Sequence, residues 1–249
     1  MDDCLSHNRL DMGTKVIAVR VGSNKALKDF TVHEALVRKS SPFFEKALAQ
    51  DWVESQSRIV KLPTMKPPAF QLYVQWLYSS RLYLRIDEKS KLVDRSKVIE
   101  CCINAYLLGD YLQDIAFKDT LIDLILEWSS MMYVLQAAVL LTKDVYANTP
   151  EDSLLRQLLV DLSVWGISPY AWKISADSAF EFPNAFLMGV VTGQSKRLSD
   201  IDPSGVKETG YSHFKKIKGT CIYHCHRDGP CYKSDVQVDG KHSTTPAKK

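Results

Sequence analysis

The sequence predicts an α+β fold, a small sheet flanked by a cluster of helices, followed by an α-helical extension and a largely disordered basic tail. Three observations predict it. Within residues 15–84 short β-rich runs alternate with short amphipathic helical patterns. From Val98 to Trp165 apolar residues recur at helical spacing. Beyond Gly193 the composition turns to Gly, Ser, Lys, Asp and Thr, which offers too little apolar surface to offset the entropy of ordering.

Residues 1–14 are polar, mixed in charge and aperiodic, and read as a flexible leader. Val16–Val21 is the first strand, bounded by the turn cluster Gly22-Ser23-Asn24, and Phe30-Thr31-Val32 is the second strand of a hairpin. The spacing of Val32, Ala35 and Leu36 is helical, and Ser41-Pro42 supplies an N-cap and an N1 proline for a helix through Leu48. Arg58–Leu62 alternates charged and apolar residues, as a strand with one buried face does. Pro67-Pro68 then opens a helix whose Phe70, Tyr73, Val74, Leu77 and Tyr78 share a face. Arg85–Ser96 is charge-rich and reads as a solvated loop. Val98–Tyr111 and Ile115–Trp128 are two helices, separated either at Gly109-Asp110 or at Gln113-Asp114.

The opening domain thus covers residues 15–128 and the extension 129–192. In the extension Met131–Leu141 is an apolar helix. Thr149-Pro150-Glu151-Asp152 looks like an N-cap, an N1 proline and an acidic N3 for a helix running to Trp165. Its stripe of Leu154, Leu155, Leu158, Leu159 and Leu162 must pack on Met131–Leu141 or on the preceding domain. Residues 166–192 carry aromatics punctuated by Pro169 and Pro183 and suggest short helices, and residues 193–249 form the low-order tail.

The chain is long enough for one or two domains and has an ordinary apolar fraction of 45%. Its net charge of +3 is unevenly placed, since residues 193–249 hold eleven Lys/Arg against six Asp/Glu. Met1-Asp2-Asp3-Cys4 is acidic and no apolar leader core follows, so six cysteines point to a reducing cytoplasmic or nuclear setting rather than a secreted disulfide framework. The longest strongly apolar stretch, Tyr133–Leu141, is too short to span a bilayer, and no membrane partner is expected.

One island in the tail, Cys221 to Cys231, holds Cys221, His224, Cys225, His226 and Cys231 within eleven residues. Such density suits a zinc site, where thiolates and imidazoles converge on one ion. The spacings match neither paired C-x-x-C knuckles nor a two-Cys, two-His finger. Two readings stay open: zinc held by Cys221, Cys225, Cys231 and one of His224 or His226, or a metal-free surface segment folded against the extension. Adjacent Cys101 and Cys102 diverge by about 100° on a helix, so at least one fills the core. His33 sits at a helix start with no cysteine or serine partner in its motif, which favours a structural hydrogen bond. Neither G-x-S-x-G nor G-x-G-x-x-G occurs, and Gly189–Ser195 lacks the lysine of a phosphate loop, so an enzyme is not expected. Lys196, Arg197, Lys215, Lys216 and Lys218, with Tyr211, Phe214 and Tyr223, are either solvated charge or a nucleic-acid surface; the former is the simpler expectation.

Six patterns occur in order over about seventy residues: V-x-V-G from Val19, F-x-V-H-x-x-L from Phe30, S-S-P-F-F-x-x-A-L from Ser40, W-x-E-S from Trp52, V-x-L-P from Val60 and F-x-x-Y-V-Q-W-L-Y from Phe70. Together they resemble the BTB/POZ domain, in the variant abundant in filamentous fungi. Ala105–Leu112 is similar to the closing helical hairpin of that family, and Asn148–Asp161 to the helical extension common in its fungal members. The resemblance implies a non-enzymatic protein-interaction module. It places Val32, Ala35, Leu36, Phe43 and Phe44 near a homodimer surface, although the short polar leader lacks the extra N-terminal strand and helix of animal dimers. It also implies a role as substrate adaptor for a cullin-type ubiquitin ligase, through the hydrophobic-x-Glu motif that Trp52-Val53-Glu54 matches. The alternative is a self-associating transcriptional or scaffold protein whose Cys/His tail binds zinc, nucleic acid or a partner.

Overall fold

A computed structural model of the chain describes residues 12–49, 57–84, 92–128, 139, 141–167, 172, 181–199, 220–226 and 229–233. Strands β1 (Val16–Val21) and β2 (Lys28–His33) pair antiparallel, and β3 (Ile59–Leu62) adds to β1 in parallel, giving the order β2-β1-β3. The hairpin register sets Val19 opposite Phe30 and Arg20 opposite Asp29, and the latter pair forms an exposed two-pronged ion pair. Alternation decides the faces. Ile17, Val19 and Val21 are buried with Phe30, Val32, Val60 and Leu62, while the intervening residues face outward. Gly22 turns the chain with φ +84°, and a Cβ there would lie 2.8 Å from the Ala26 carbonyl oxygen, so both conformation and space require glycine.

The crossover from β2 to β3 includes α1 (Glu34–Ser40) and α2 (Pro42–Ala47). Ser41 caps α2 as its sequence predicts, accepting from the Phe44 N–H at 3.3 Å, and its hydroxyl donates to the Leu112 carbonyl at 2.6 Å. His33 makes the expected structural contact. Its backbone N–H donates to the Tyr78 hydroxyl, which lies 2.7 Å from its Nδ1.

Helix α3 (Pro67–Ser79) buries Phe70 against Phe30 of β2, and Tyr73 and Trp76 against Phe117. Helix α4 (Leu92–Leu112) begins inside the stretch read as a solvated loop, so only residues 85–91 separate it from the described chain before it. Its junction with α5 (Ile115–Glu127) falls at the second of the two candidate breaks. Gln113 adopts φ +60°, and Asp114 caps α5 by accepting from the Phe117 N–H at 2.9 Å. Cys102 is buried in this helical pair and Cys101 half-buried; burial pushes the Cys102 thiol far up, so it packs as a small apolar residue.

Among the described residues the extension contains α6 (Thr142–Asn148), α7 (Leu154–Gly166) and α8 (Asn184–Ser199). The expected helix start at Pro150 is corrected to Leu154. The Thr149 hydroxyl donates to the Val145 carbonyl at 2.6 Å and accepts from Arg156, so it closes α6 instead of opening α7. Leu155, Leu158, Leu159 and Leu162 are fully buried, with α8 and α6 among the neighbours of α7. Apart from Val139 and Leu141, the expected helix Met131–Leu141 lies outside the described residues.

Helix α8 also corrects the boundary drawn at Gly193. Gly189 and Gly193 lie one turn apart on its face toward α7, where a Cβ would come within 2.9 Å of Val160 Cγ2 and 2.6 Å of Val164 Cγ2. Glycines that resemble linker composition therefore permit a close helix crossing. Arg197, expected as tail charge, donates to the Val164 carbonyl at 2.8 Å and stacks over Trp165 at 4.7 Å, satisfying an orphan carbonyl near the end of α7. Among the described residues no helix is long and apolar enough to cross a membrane.

Candidate functional site

Residues 220–226 and 229–233 do not trail away from the fold. A 3₁₀ turn, Thr220–Tyr223, contacts α5 and α7, and the His224 N–H closes onto the Cys221 carbonyl at 3.1 Å. Residues three apart in such a turn lie on the same side, which puts Cys221 and His224 together. Tyr223 points the other way. It is 1% exposed and its hydroxyl donates to Asp161 of α7 at 2.8 Å. Burial and the Asp161 charge push that phenol far above its ordinary range, so it stays a neutral donor.

The α5 side of the site is acidic. Asp119 and Asp123, four residues apart, share one helix face. Asp123 accepts from His224, whose Nε2 lies 3.1 Å from its Oδ1, from the Tyr232 hydroxyl and from Lys233 at 2.8 Å. Asp119 accepts the Cys225 backbone N–H at 2.5 Å and stands 3.9 Å from His224 Nδ1. Burial pushes the Asp119 carboxyl up, and the Cys225 N–H and the nearby imidazoles pull against that shift. Tyr232 meets Trp76 of α3 edge-on at 6.1 Å, so the segment touches both the opening domain and the extension.

Four side chains then converge. The ligating atoms of Cys221, His224, His226 and Cys231 all lie within 4.8 Å of one another, with Cys231 Sγ 3.7 Å from His224 Nδ1. Cys225 does not join them; its Sγ lies 3.5 Å from the Tyr106 hydroxyl of α4. Of the five side chains singled out in the island, the fold thus brings Cys221, His224, His226 and Cys231 together and sets Cys225 apart from them. Residues 224–226 form neither helix nor strand, so no side-chain periodicity singles out these four in advance. The supporting Asp119, Asp123 and Tyr106 lie about a hundred residues earlier, and no local pattern links them to the island.

The residues expected at a dimer surface separate into two groups. Val32, Leu36 and Phe44 are buried in the chain's own core, so they are not available to a partner as the structure stands. Ala35 is exposed beside a shallow groove lined by Met12, Gly13, Lys15 and Glu34. Phe43 is half-buried, with its ring 4.9 Å from Tyr111, which is itself half exposed. Glu34 in that groove is held by Arg58 at 2.6 Å and Arg38 at 3.2 Å; burial pushes its carboxyl up, but the two guanidiniums outweigh burial and leave it below the usual range. Trp52, Val53 and Glu54 lie outside the described residues, between α2 and β3. Lys215, Lys216, Lys218, Tyr211 and Phe214 also lie outside them.

Comparison with known families matches residues 17–98, about a third of the chain, to the BTB/POZ domain. That span runs from Ile17 in β1 into α4 and holds all of the three-stranded sheet except Val16. No curated protein matches the chain.

Proposed function

We propose, on the premise that residues 17–98 form a BTB/POZ domain, that this chain is a fungal-type adaptor that docks onto a cullin-type ubiquitin ligase. The BTB/POZ domain is a protein-interaction module, and the match over 17–98 is the observation that carries the proposal. Support for the cullin reading comes from the segment between α2 and β3. There Trp52-Val53-Glu54 supplies a large apolar anchor followed by a carboxylate, the layout of a binding hot spot. Helix α2, which precedes it in the chain, carries Phe43 against the half-exposed Tyr111. The test is binding of the purified chain to a purified cullin N-terminal region. A Trp hot spot contributes about 2 kcal/mol or more, so Trp52→Ala with Glu54→Ala should weaken the complex by at least about thirtyfold. No binding by the native chain, or equal binding by the double variant, overturns the cullin reading.

Self-association is the second reading, favoured by the exposure of Ala35 beside its groove. A homodimer on this face would use Ala35 and Phe43, with Val32, Leu36 and Phe44 supporting them from beneath. Sedimentation across a concentration series tests it. A mass that stays monomeric at high concentration, or a dimer indifferent to Ala35→Arg, refutes it.

A further inference from the structure

We infer that Cys221, His224, His226 and Cys231 bind one tetrahedral zinc ion, and that this ion locks the C-terminal segment across α5, α7 and α3. The first argument is distance. Zinc binds sulfur at about 2.3 Å and imidazole nitrogen at about 2.0–2.1 Å, which places tetrahedral ligands roughly 3.3–3.8 Å apart. Cys231 Sγ and His224 Nδ1 already stand at 3.7 Å, and no pair of the four exceeds 4.8 Å. Contraction of about 1 Å at the widest pair completes the shell, a movement that side-chain torsions supply.

The second argument is orientation. His224 is 2% exposed and has its Nε2 on Asp123, while Nδ1 lies 3.7 Å from Cys231 Sγ. A carboxylate that accepts from one imidazole nitrogen fixes the tautomer and leaves the second lone pair for a metal, the outer-shell arrangement that metal-bound histidines use. Charge agrees. Two thiolates neutralise a divalent ion, so the loaded site adds no net charge beside the buried Asp119. Two sulfurs and two nitrogens favour zinc over calcium or magnesium, which take oxygen ligands. Four protein ligands fill the tetrahedron and leave no open position, so the ion is structural.

The consequence is mechanical. Tyr223, in the α5–α7 crevice, lies between the ligands Cys221 and His224, and Tyr232, on Trp76, directly follows Cys231, so closing the loop from Cys221 to Cys231 holds both anchors in place. The site lies outside residues 17–98, so it stands whatever the BTB/POZ domain binds.

The experiment uses the full chain, purified without a histidine tag or chelator under reducing conditions. Elemental analysis should find one zinc per chain. Cobalt exchanged into the chelated protein should give the intense visible bands of a tetrahedral ion and a thiolate charge-transfer band. Cys231→Ser and the exposed Cys221→Ser should abolish both signals, whereas Cys225→Ser should keep full stoichiometry. Asp123→Asn should weaken affinity by about 10–100-fold with the ligands intact. Circular dichroism of each variant separates ligand loss from unfolding. The proposal is overturned by a metal-free native chain with no cobalt spectrum, by a Cys221–Cys231 disulfide in its place, or by Cys225→Ser losing metal as Cys231→Ser does.

Discussion

Replacing Gly193 with alanine tests whether residues around 193 belong to a packed helix or to a tail. In an exposed helix the change would stabilise by about 1 kcal/mol through propensity alone. Here a Cβ meets Val164 Cγ2 at 2.6 Å, nearly 1 Å inside ordinary contact. Val164 is β-branched and stiff in its own helix, so α8 must back away or Val164 must leave its rotamer. Overpacking of this kind costs about 1–3 kcal/mol, which outweighs the propensity gain and leaves a net loss of about 1 kcal/mol. Urea unfolding followed by far-ultraviolet circular dichroism measures it, and the thermal midpoint should fall by about 2–4 °C. Ser195→Ala, at an exposed position of the same helix, is the control and should be neutral or stabilise by about 0.5 kcal/mol. If Gly193→Ala also proves neutral or stabilising, α7 and α8 do not cross in close contact at Gly193.

Ser41→Ala removes the α2 cap and leaves the Leu112 carbonyl buried without its donor, so a loss of about 2–3 kcal/mol in urea unfolding is expected; a loss under 0.5 kcal/mol would show that neither bond matters. Glu34 gives a pH test: because its folded-state pKa lies below the unfolded value, its stabilisation is present above about pH 4.5 and disappears as pH falls through the folded pKa. Glu34→Gln should therefore flatten the acid limb of the stability profile, and an unchanged limb would place the acid sensitivity elsewhere.

Much of the opening domain was legible because its signals are local. Ser41-Pro42 carries its own cap and φ restraint, and the alternation in Val16–Val21 and Ile59–Leu62 declares the buried face without reference to the rest of the chain. The resemblance over six ordered motifs then points to the family that the match over 17–98 supports. Where the local signal had two acceptable partners, sequence alone chose wrongly. Thr149-Pro150 has the chemistry of an N-cap, but the same hydroxyl can serve the carbonyl four residues back, and packing of α6 against α7 decides for that one. Gly193 reads as the start of a low-order tail until a neighbouring helix approaches within reach of its missing side chain.

The amino-acid sequence by itself determined the sheet-and-helix domain, the capped α2 and the presence of five metal-capable side chains within eleven residues. Which four of them meet, the parallel seating of β3 beside β1, and the docking of the island on α5 and α7 were decided by tertiary structure. The physical reason is range. Capping and periodicity act over a turn or two of chain, whereas the acids that orient His224 and the tyrosine beside Cys225 come from helices about a hundred residues away, brought there by burial of the common core.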